Sequence, residues 1–411
     1  MTWTKPDKEA DVKAARDRGE STSEMEPLLI SEAARNRAGL PDLALELAQR
    51  TAGFRHSLPP GLLESIATLV RTMNCYYSNI IEGHATHPVD IERALKSDYS
   101  KDPEKRDLQL EAKAHIAVQK WIDTGALKGR VVDVESIREI HRRFCEHLPP
   151  DLLVSINSDT KETVKLVPGE LRTRDVRVGR LVPISPGAVP RFLSRYQEVY
   201  GSLGVIDTVI AAAAAHHRLV WIHPFLDGNG RVARLVSHAM LLETLDTGAV
   251  WSIARGLARN VQDYKGHLAA CDQTRRNDLD GRGNLSEENL TAFTQFFLRT
   301  CIDQVSFMGE LIQPERLRAR ILLWAEEEIR LDHLPQKAGA ILEAVLYRGE
   351  LPRADAAGIV GTGDRQARRV ISALMERNVL ISDSTRAPMR LAFPAALASR
   401  WMPGLFPDRT G

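Results

Sequence analysis

The twelve residues "HPFLDGNGRVAR", His223–Arg234, set a histidine, an acid, an amide, two glycines and two arginines side by side. The run before them, "TVIAAAAAHHRLVWI", is alanine-rich and favours helix, and "VARLVSHAMLLETL" after them is apolar at helical spacing. The stretch therefore reads as the loop and first turn joining two helices. A helix N-terminus carries unpaired N–H groups and about half a positive charge, which makes it a site for anions. Gly228 and Gly230 lack side chains, so their backbone can approach a phosphate. Arg231 and Arg234 lie three apart, share a helix face and suit two different phosphates. Asp227 is a hard oxygen ligand for Mg²⁺, and Asn229 can donate to a phosphate oxygen without adding charge. His223 can take the proton of an attacking hydroxyl near neutral pH. Base, metal ligand, anion hole and cations together describe phosphate-transfer chemistry.

Around this stretch the chain reads as mainly helical. Apolar residues recur at three and four spacing in "GLLESIATLVRTMN", "PVDIERAL", "LEAKAHIAVQKWI", "ESIREIHRRFCEHL" and "AVPRFLSRYQEVY". A further long helix is expected in "NLTAFTQFFLRTCIDQVSFMGELI". One segment departs from the pattern: "VPGELRTRDVRVGRLVPISP", residues 167–186, alternates Val and Leu with Arg and predicts a short surface β-hairpin. Residues 1–26 mix charges with Ser and Thr and predict a flexible tail. Beyond "LDHLPQK" three short helices and a strand pair match the pattern of a winged helix-turn-helix, with eleven Lys/Arg against seven Asp/Glu from Lys337 to Arg409. Arg365, Arg368 and Arg369 open its third helix, so DNA binding through 361–391 is one expectation; a dimerisation or packing module is the other.

Composition limits the alternatives. With 411 residues the chain is long enough for two or three domains. A formal net charge of +1 gives no global field directed at nucleic acid or membrane. The four cysteines are scattered with no CxxC pair, and read as reduced core residues of a cytoplasmic protein. No signal-peptide core is apparent and no membrane span is expected. The expected divisions are a tail at 1–26, a helical region at 27–110, a catalytic core at 111–312, a linker helix at 313–334 and the terminal module at 335–411.

"HPFLDGNGRVAR" resembles the signature of the Fic family, HPFx[DE]GNGRxxR, and matches it at every specified position. The resemblance covers roughly residues 28–312. It implies an all-α bundle with the signature between two central helices and a β-hairpin flap ahead of it. It also implies AMP transfer from ATP to a Tyr, Thr or Ser hydroxyl of a target protein or of the chain itself. By it, His223 is the general base and Asp227 the Mg²⁺ ligand. Gly228, Asn229 and Gly230 line the phosphate hole, Arg231 holds the β-phosphate and Arg234 the γ-phosphate. The stretch "VGRL", Val178, Gly179, Arg180 and Leu181, resembles the edge on which a target strand docks, with the docking surface at 176–184. "QDYKGHL" resembles the helix beside the nucleotide, with Tyr264 as adenine or ribose neighbour, although Asp263 stands where the family has a first tyrosine.

"YYSNIIEGH" adds a regulatory expectation. Ser78, Glu82 and Gly83 fit the pattern [ST]xxxE[GN], which marks the inhibitory helix of class II Fic proteins, the class that carries it ahead of the signature. Ser78 and Glu82 share one helix face and Gly83 suits a helix end. Glu82 is expected to pair with Arg234 and keep ATP from binding productively. Removal of AMP through the same site, or a DNA-binding regulator with a nucleotide-sensing core, are the competing readings. Phosphate or phosphocholine transfer fits the intact triphosphate motif less well, and homodimerisation is left open.

Overall fold

The computed structural model describes residues 2–3, 15–84, 86–156 and 161–407. Sixteen α-helices are present among them. The N-terminal half holds α1 (Gly39–His56), α2 (Pro60–Glu82), α3 (Pro88–Leu95), α4 (Pro103–Asp123), α5 (Val134–Glu146) and α6 (Val189–Tyr200). The centre is α7 (Val205–Ile222) and α8 (Asn229–Leu245), followed by α9 (Ala254–Arg259), α10 (Val261–Cys271), α11 (Glu287–Leu311) and α12 (Pro314–Arg330). The last are α13 (Ala338–Arg348), α14 (Ala356–Val360), α15 (Asp364–Glu376) and α16 (Ala398–Trp401). Proline at the first turn of α2, α3 and α4 fixes the starting φ where an N–H would have no helical acceptor.

The centre of the core is α7. By length and apolarity this helix could cross a membrane, yet Val209 through Leu219 are all buried inside the protein. The alanine run Ala211–Ala215 provides small side chains where α8, α6, α11 and α1 close in. Phe192, Tyr196, Phe225, Phe293 and Phe297 fill the remaining volume and are almost fully buried. All four cysteines are free and buried.

The expected hairpin is smaller than its sequence pattern. Within 167–186 the only strand is Val176–Arg177, followed by a tight turn in which Val178 and Leu181 exchange backbone hydrogen bonds of 2.9 and 3.0 Å. Pro168, Gly169, Pro183 and Pro186 leave no room for a longer ladder. Val176–Arg177 pairs antiparallel with Thr2–Trp3 instead of with its own neighbour. A second hairpin, Val154–Ile156 with Thr163–Lys165, lies ahead of it and has no period-2 signal long enough to predict.

Residues 15–26 also differ from the expected flexible tail; Met1 and residues 4–14 lie outside the described residues. Arg18 donates its backbone N–H to Ser185 Oγ at 3.0 Å. The Glu20 carboxylate accepts from Ser185 N and Oγ at 2.7 and 2.6 Å. Arg18 pairs with Asp175 at 2.8 Å, Ser21 and Glu24 form a reciprocal capping box, and Met25 and Leu28 are fully buried. High charge suggests solvation, but these charges meet complementary groups around the flap.

At the C-terminal end, α13, α14 and α15 stand with a three-stranded antiparallel sheet in the order Glu350–Leu351, Met389–Leu391, Leu380–Ile381. This unit packs on α2. Tyr77 donates to the Leu405 carbonyl at 2.7 Å, and the Tyr76 and Tyr77 rings flank Phe406 at 5.2 and 6.4 Å.

If Glu20 anchors the N-terminal arm, Glu20→Ala should release it. Hydrogen exchange at the amides of residues 16–25 should then rise at least about tenfold, the loss of one or two charge-assisted bonds. Protection in α7 and α8 should not change; unchanged exchange in the arm would mean that other contacts hold it.

Candidate functional site

The signature loop is closed from inside. Asn229 accepts from Phe225 N at 2.9 Å and donates Nδ2 to Phe225 O at 2.8 Å, so its amide binds both polar groups of one residue. The side chain therefore staples the loop and keeps one further Nδ2 hydrogen, and Asn229 lines the cavity as expected of a phosphate neighbour. Phe225 is fully buried and stacks on His141 at 4.0 Å with planes 4° apart. His141 Nδ1 accepts from Gly169 N at 2.9 Å, tying the loop to the flap base.

Arg172, which no motif marked, fixes the loop from the other side. Its guanidinium donates to the carbonyls of His223 at 2.7 Å, Ile184 at 2.5 Å and Arg174 at 3.1 Å, and its backbone N–H donates to Pro224 O at 2.8 Å. Burial pushes this cation down to about 10. One buried side chain therefore joins the flap to the turn that carries His223.

His223 ends α7 in the left-handed region, at φ 52° and ψ 62°, a conformation uncommon outside glycine and a local strain held by the surroundings. The side chain is 4% exposed. Nδ1 lies 3.1 Å from Val220 O, and since a carbonyl only accepts, Nδ1 carries the proton. Nε2 keeps its lone pair and has no partner among the described residues. Burial lowers the imidazole to about 4, so it is neutral at pH 7.

A cavity of about 850 Å³ opens on this loop. His223, Asp227, Gly228, Asn229, Gly230, Arg231 and Arg234 line one side, Val178–Leu181 of the flap another, and Tyr264 of α10 a third. Gly228 caps α8 at φ 79°, where a Cβ would be strained. Asp227 accepts from Gly228 N at 2.6 Å and presents its carboxylate to the cavity. Among the described residues no cluster of three or more His, Cys, Asp or Glu could hold a metal by itself. A nucleotide-bridged Mg²⁺ needs only one or two protein carboxylates, so this donor set fits it. Tyr264 is 2% exposed and its hydroxyl pairs with His216 Nε2 at 2.7 Å, which fixes the ring beside the arginines.

Both arginines are buried and bound to carboxylates. Arg234 donates Nε and Nη2 to Ser78 Oγ at 3.0 and 2.8 Å, and Nη2 to Glu82 Oε1 at 2.5 Å. The Arg234–Glu82 pair and the helix face expected for Ser78 and Glu82 thus occur together. Gly83 caps α2 at φ 88°, and His84 N closes the end on Asn79 O at 2.9 Å. Gly230 permits the approach, because a Cβ there would stand 2.7 Å from Glu82 Oε1. Burial tends to raise the Glu82 carboxyl, but the charge and hydrogen bond of Arg234 overcome it and hold the group below its usual range. Arg231 donates Nη1 to Glu111 Oε2 of α4 at 2.9 Å, a partner that sequence spacing gave no reason to select.

Two predictions follow from these contacts. Replacing Arg172 by Met orphans carbonyls at about 1–3 kcal/mol each, so chemical denaturation should show a loss of several kcal/mol. Separately, burial lowers His115 and His216 to about 3 and His141 and His223 to about 4, against roughly 6.5 in the unfolded chain. The unfolded state therefore takes up protons first. Stability should be full above about pH 6.5 and fall as pH drops toward 4, by up to about 1.4 kcal/mol per pH unit for each histidine. Urea midpoints at pH 7.5 and pH 5 test this, and equal midpoints would contradict it.

Comparison with known proteins gives concordant results. Residues 131–241 match the Fic/DOC family model, a span that runs from just before α5 through most of α8. Proteins named protein adenylyltransferase Fic from Drosophila erecta and Drosophila ananassae are each 28% identical over 223 residues, which is 52% of this chain. The match spans 42% of the length of those relatives. The crystal structure of a Fic family protein from Desulfovibrio desulfuricans G20 shares the fold with a TM-score of 0.51 at 17% identity, over 88% of this chain and 98% of that one. The segment that holds the signature loop thus matches the Fic/DOC family model, and the chain shares its fold with a Fic family protein.

Proposed function

We propose that the protein is an adenylyltransferase that moves AMP from Mg·ATP to a hydroxyl side chain of a protein, and that it is held inactive by Glu82. One observation carries the reading: His223, whose buried Nε2 has no partner among the described residues, lines the cavity whose wall also holds Arg231 and Arg234. A hydroxyl entering along Val178–Leu181 loses its proton to Nε2 while its oxygen attacks the α-phosphorus. A phosphodiester to AMP forms, the bond to the β-phosphate oxygen breaks, and pyrophosphate leaves. Arg231 and Arg234 stabilise the charge gathering on that leaving group, and the N–H groups at the start of α8 hold the α- and β-phosphates. Asp227 would hold Mg²⁺, which would neutralise part of the phosphate charge. Tyr264 borders the nucleoside, and the target backbone adds to the flap edge at 176–184. Modification of the chain itself uses the same chemistry.

Inhibition is electrostatic. Glu82 takes the Arg234 donor that the γ-phosphate needs, and its negative charge stands where the triphosphate would lie. Glu82 also borders the same cavity as His223, which suits the reverse reaction, hydrolysis of an AMP–protein bond with Glu82 orienting water. A second reading is DNA binding by the C-terminal unit; it rests on Arg365, Arg368 and Arg369, which stand exposed on α15 beside the small antiparallel sheet. We place the protein in the cytoplasm.

Incubation with Mg²⁺ and ATP labelled on the α- or γ-phosphate tests the proposal. The charge-assisted bond is worth about 1.5–3 kcal/mol, so Glu82→Gly should raise protein-bound α-label roughly 10- to 100-fold. His223→Ala in that background should remove about 10²–10⁴-fold. Incorporation of γ-label would replace AMP transfer by phosphate transfer, and no gain with Glu82→Gly would eliminate the brake.

A further inference from the structure

Glu82 and Glu111 each hold one arginine of the phosphate site, but they hold it differently. In Arg234 both Nε and Nη2 are engaged, by Ser78 and Glu82. In Arg231 Glu111 engages Nη1, while Nε is buried and has no partner among the described residues. The Arg231 guanidinium also lies over the Phe144 ring of α5, 4.8 Å from its centre, so a carboxylate and an aromatic ring both hold it. Arg231 is 8% exposed, and it borders the cavity. Glu111 has support of its own: His84 Nδ1 lies 3.5 Å from the same Oε2 that Arg231 engages.

We infer that Glu111 is a positioning residue for the phosphate site, fixing Arg231 through Nη1 so that its remaining donors face the β-phosphate. The inference rests on the nucleotide-transfer reading above and deepens it. A polyphosphate in the cavity that Arg231 borders can meet this guanidinium with Glu111 still on Nη1, whereas the Nη2 donor of Arg234 becomes free only when Glu82 is displaced. Two carboxylates on neighbouring arginines therefore have opposite effects on nucleotide binding. Without Glu111 the Arg231 side chain regains rotamers and turns toward another acceptor, and ordering it again falls to the nucleotide.

The test uses the full chain carrying Glu82→Gly, to open the site, and His223→Ala, to stop turnover. Calorimetric titration then measures Mg·ATP, Mg·ADP and AMP. Adding Glu111→Ala should weaken Mg·ATP and Mg·ADP at least about tenfold and change AMP less than about twofold, since AMP has no β-phosphate. Glu111→Gln keeps an acceptor oxygen and should recover most of the loss. Thermal melts of each variant accompany the titrations, and Glu111→Gln supplies the folded comparison if Glu111→Ala melts early. Tighter ATP binding in Glu111→Ala would make Glu111 a second brake and overturn the inference, as would equal losses for AMP and ATP. A parent that binds no Mg·ATP would instead overturn the transfer reading, and the inference with it.

Discussion

Two guanidinium groups buried in the first turns of α8 cannot be left without counter-charge. Arg231 and Arg234 are 8% and 5% exposed, and an isolated ion at such a place would cost several kcal/mol. On the transfer reading proposed above, a bound phosphate chain would supply that counter-charge. The protein supplies Glu111 from α4 and Glu82 from α2 instead. On the reading proposed above, inhibition would in this sense be a requirement of folding: a phosphate site placed inside a helical core needs internal anions, and whichever anion the ligand must displace would act as a brake.

The same burial sets the chemistry of the base. An exposed imidazole would be partly protonated near pH 6.5 and would direct its nitrogens by chance. His223 is kept neutral by burial, and its proton is assigned to Nδ1 by Val220 O, which leaves Nε2 as the acceptor. The left-handed turn that aims it is held by Arg172, Asn229 and the His141–Phe225 stack. A strained backbone persists only where neighbours over-determine it, and these neighbours come from the flap base, α5 and the loop itself.

Legibility in the sequence followed the range of the interactions. The helices of the core were readable because apolar spacing is local, and the signature because its twelve residues act within one turn and one loop. Ser78, Glu82 and Gly83 were readable for the same reason, being one helical turn and its cap. Glu111 and Arg172 were not. Each makes its bond to a residue 120 or 51 positions away, inside segments whose own pattern is an ordinary helix or an Arg-rich loop. The staple that Asn229 makes to Phe225, four residues back, depends on loop geometry that residue type does not encode. The N-terminal arm was misjudged because charge was taken as a sign of solvation, while Arg18 and Glu20 face partners 157 and 165 positions away.

The attachment of the C-terminal unit constrains how Glu82 can leave Arg234. Tyr76 and Tyr77, the two residues before Ser78, flank Phe406, and the Tyr77 hydroxyl is bonded to Leu405 O. Tyr77, Ser78 and Ile81 are buried, whereas the Glu82 side chain is 35% exposed. Sliding α2 would break the aromatic contacts and the buried Ser78–Arg234 bonds together, at a cost of several kcal/mol. Rotating the Glu82 side chain breaks one partly exposed ion pair and leaves the helix in place. Since the cheaper motion dominates, the nucleotide entry proposed above would be governed by a side-chain torsion at the last residue of α2. The C-terminal unit acts on it by keeping the preceding turn where Ser78 still meets Arg234.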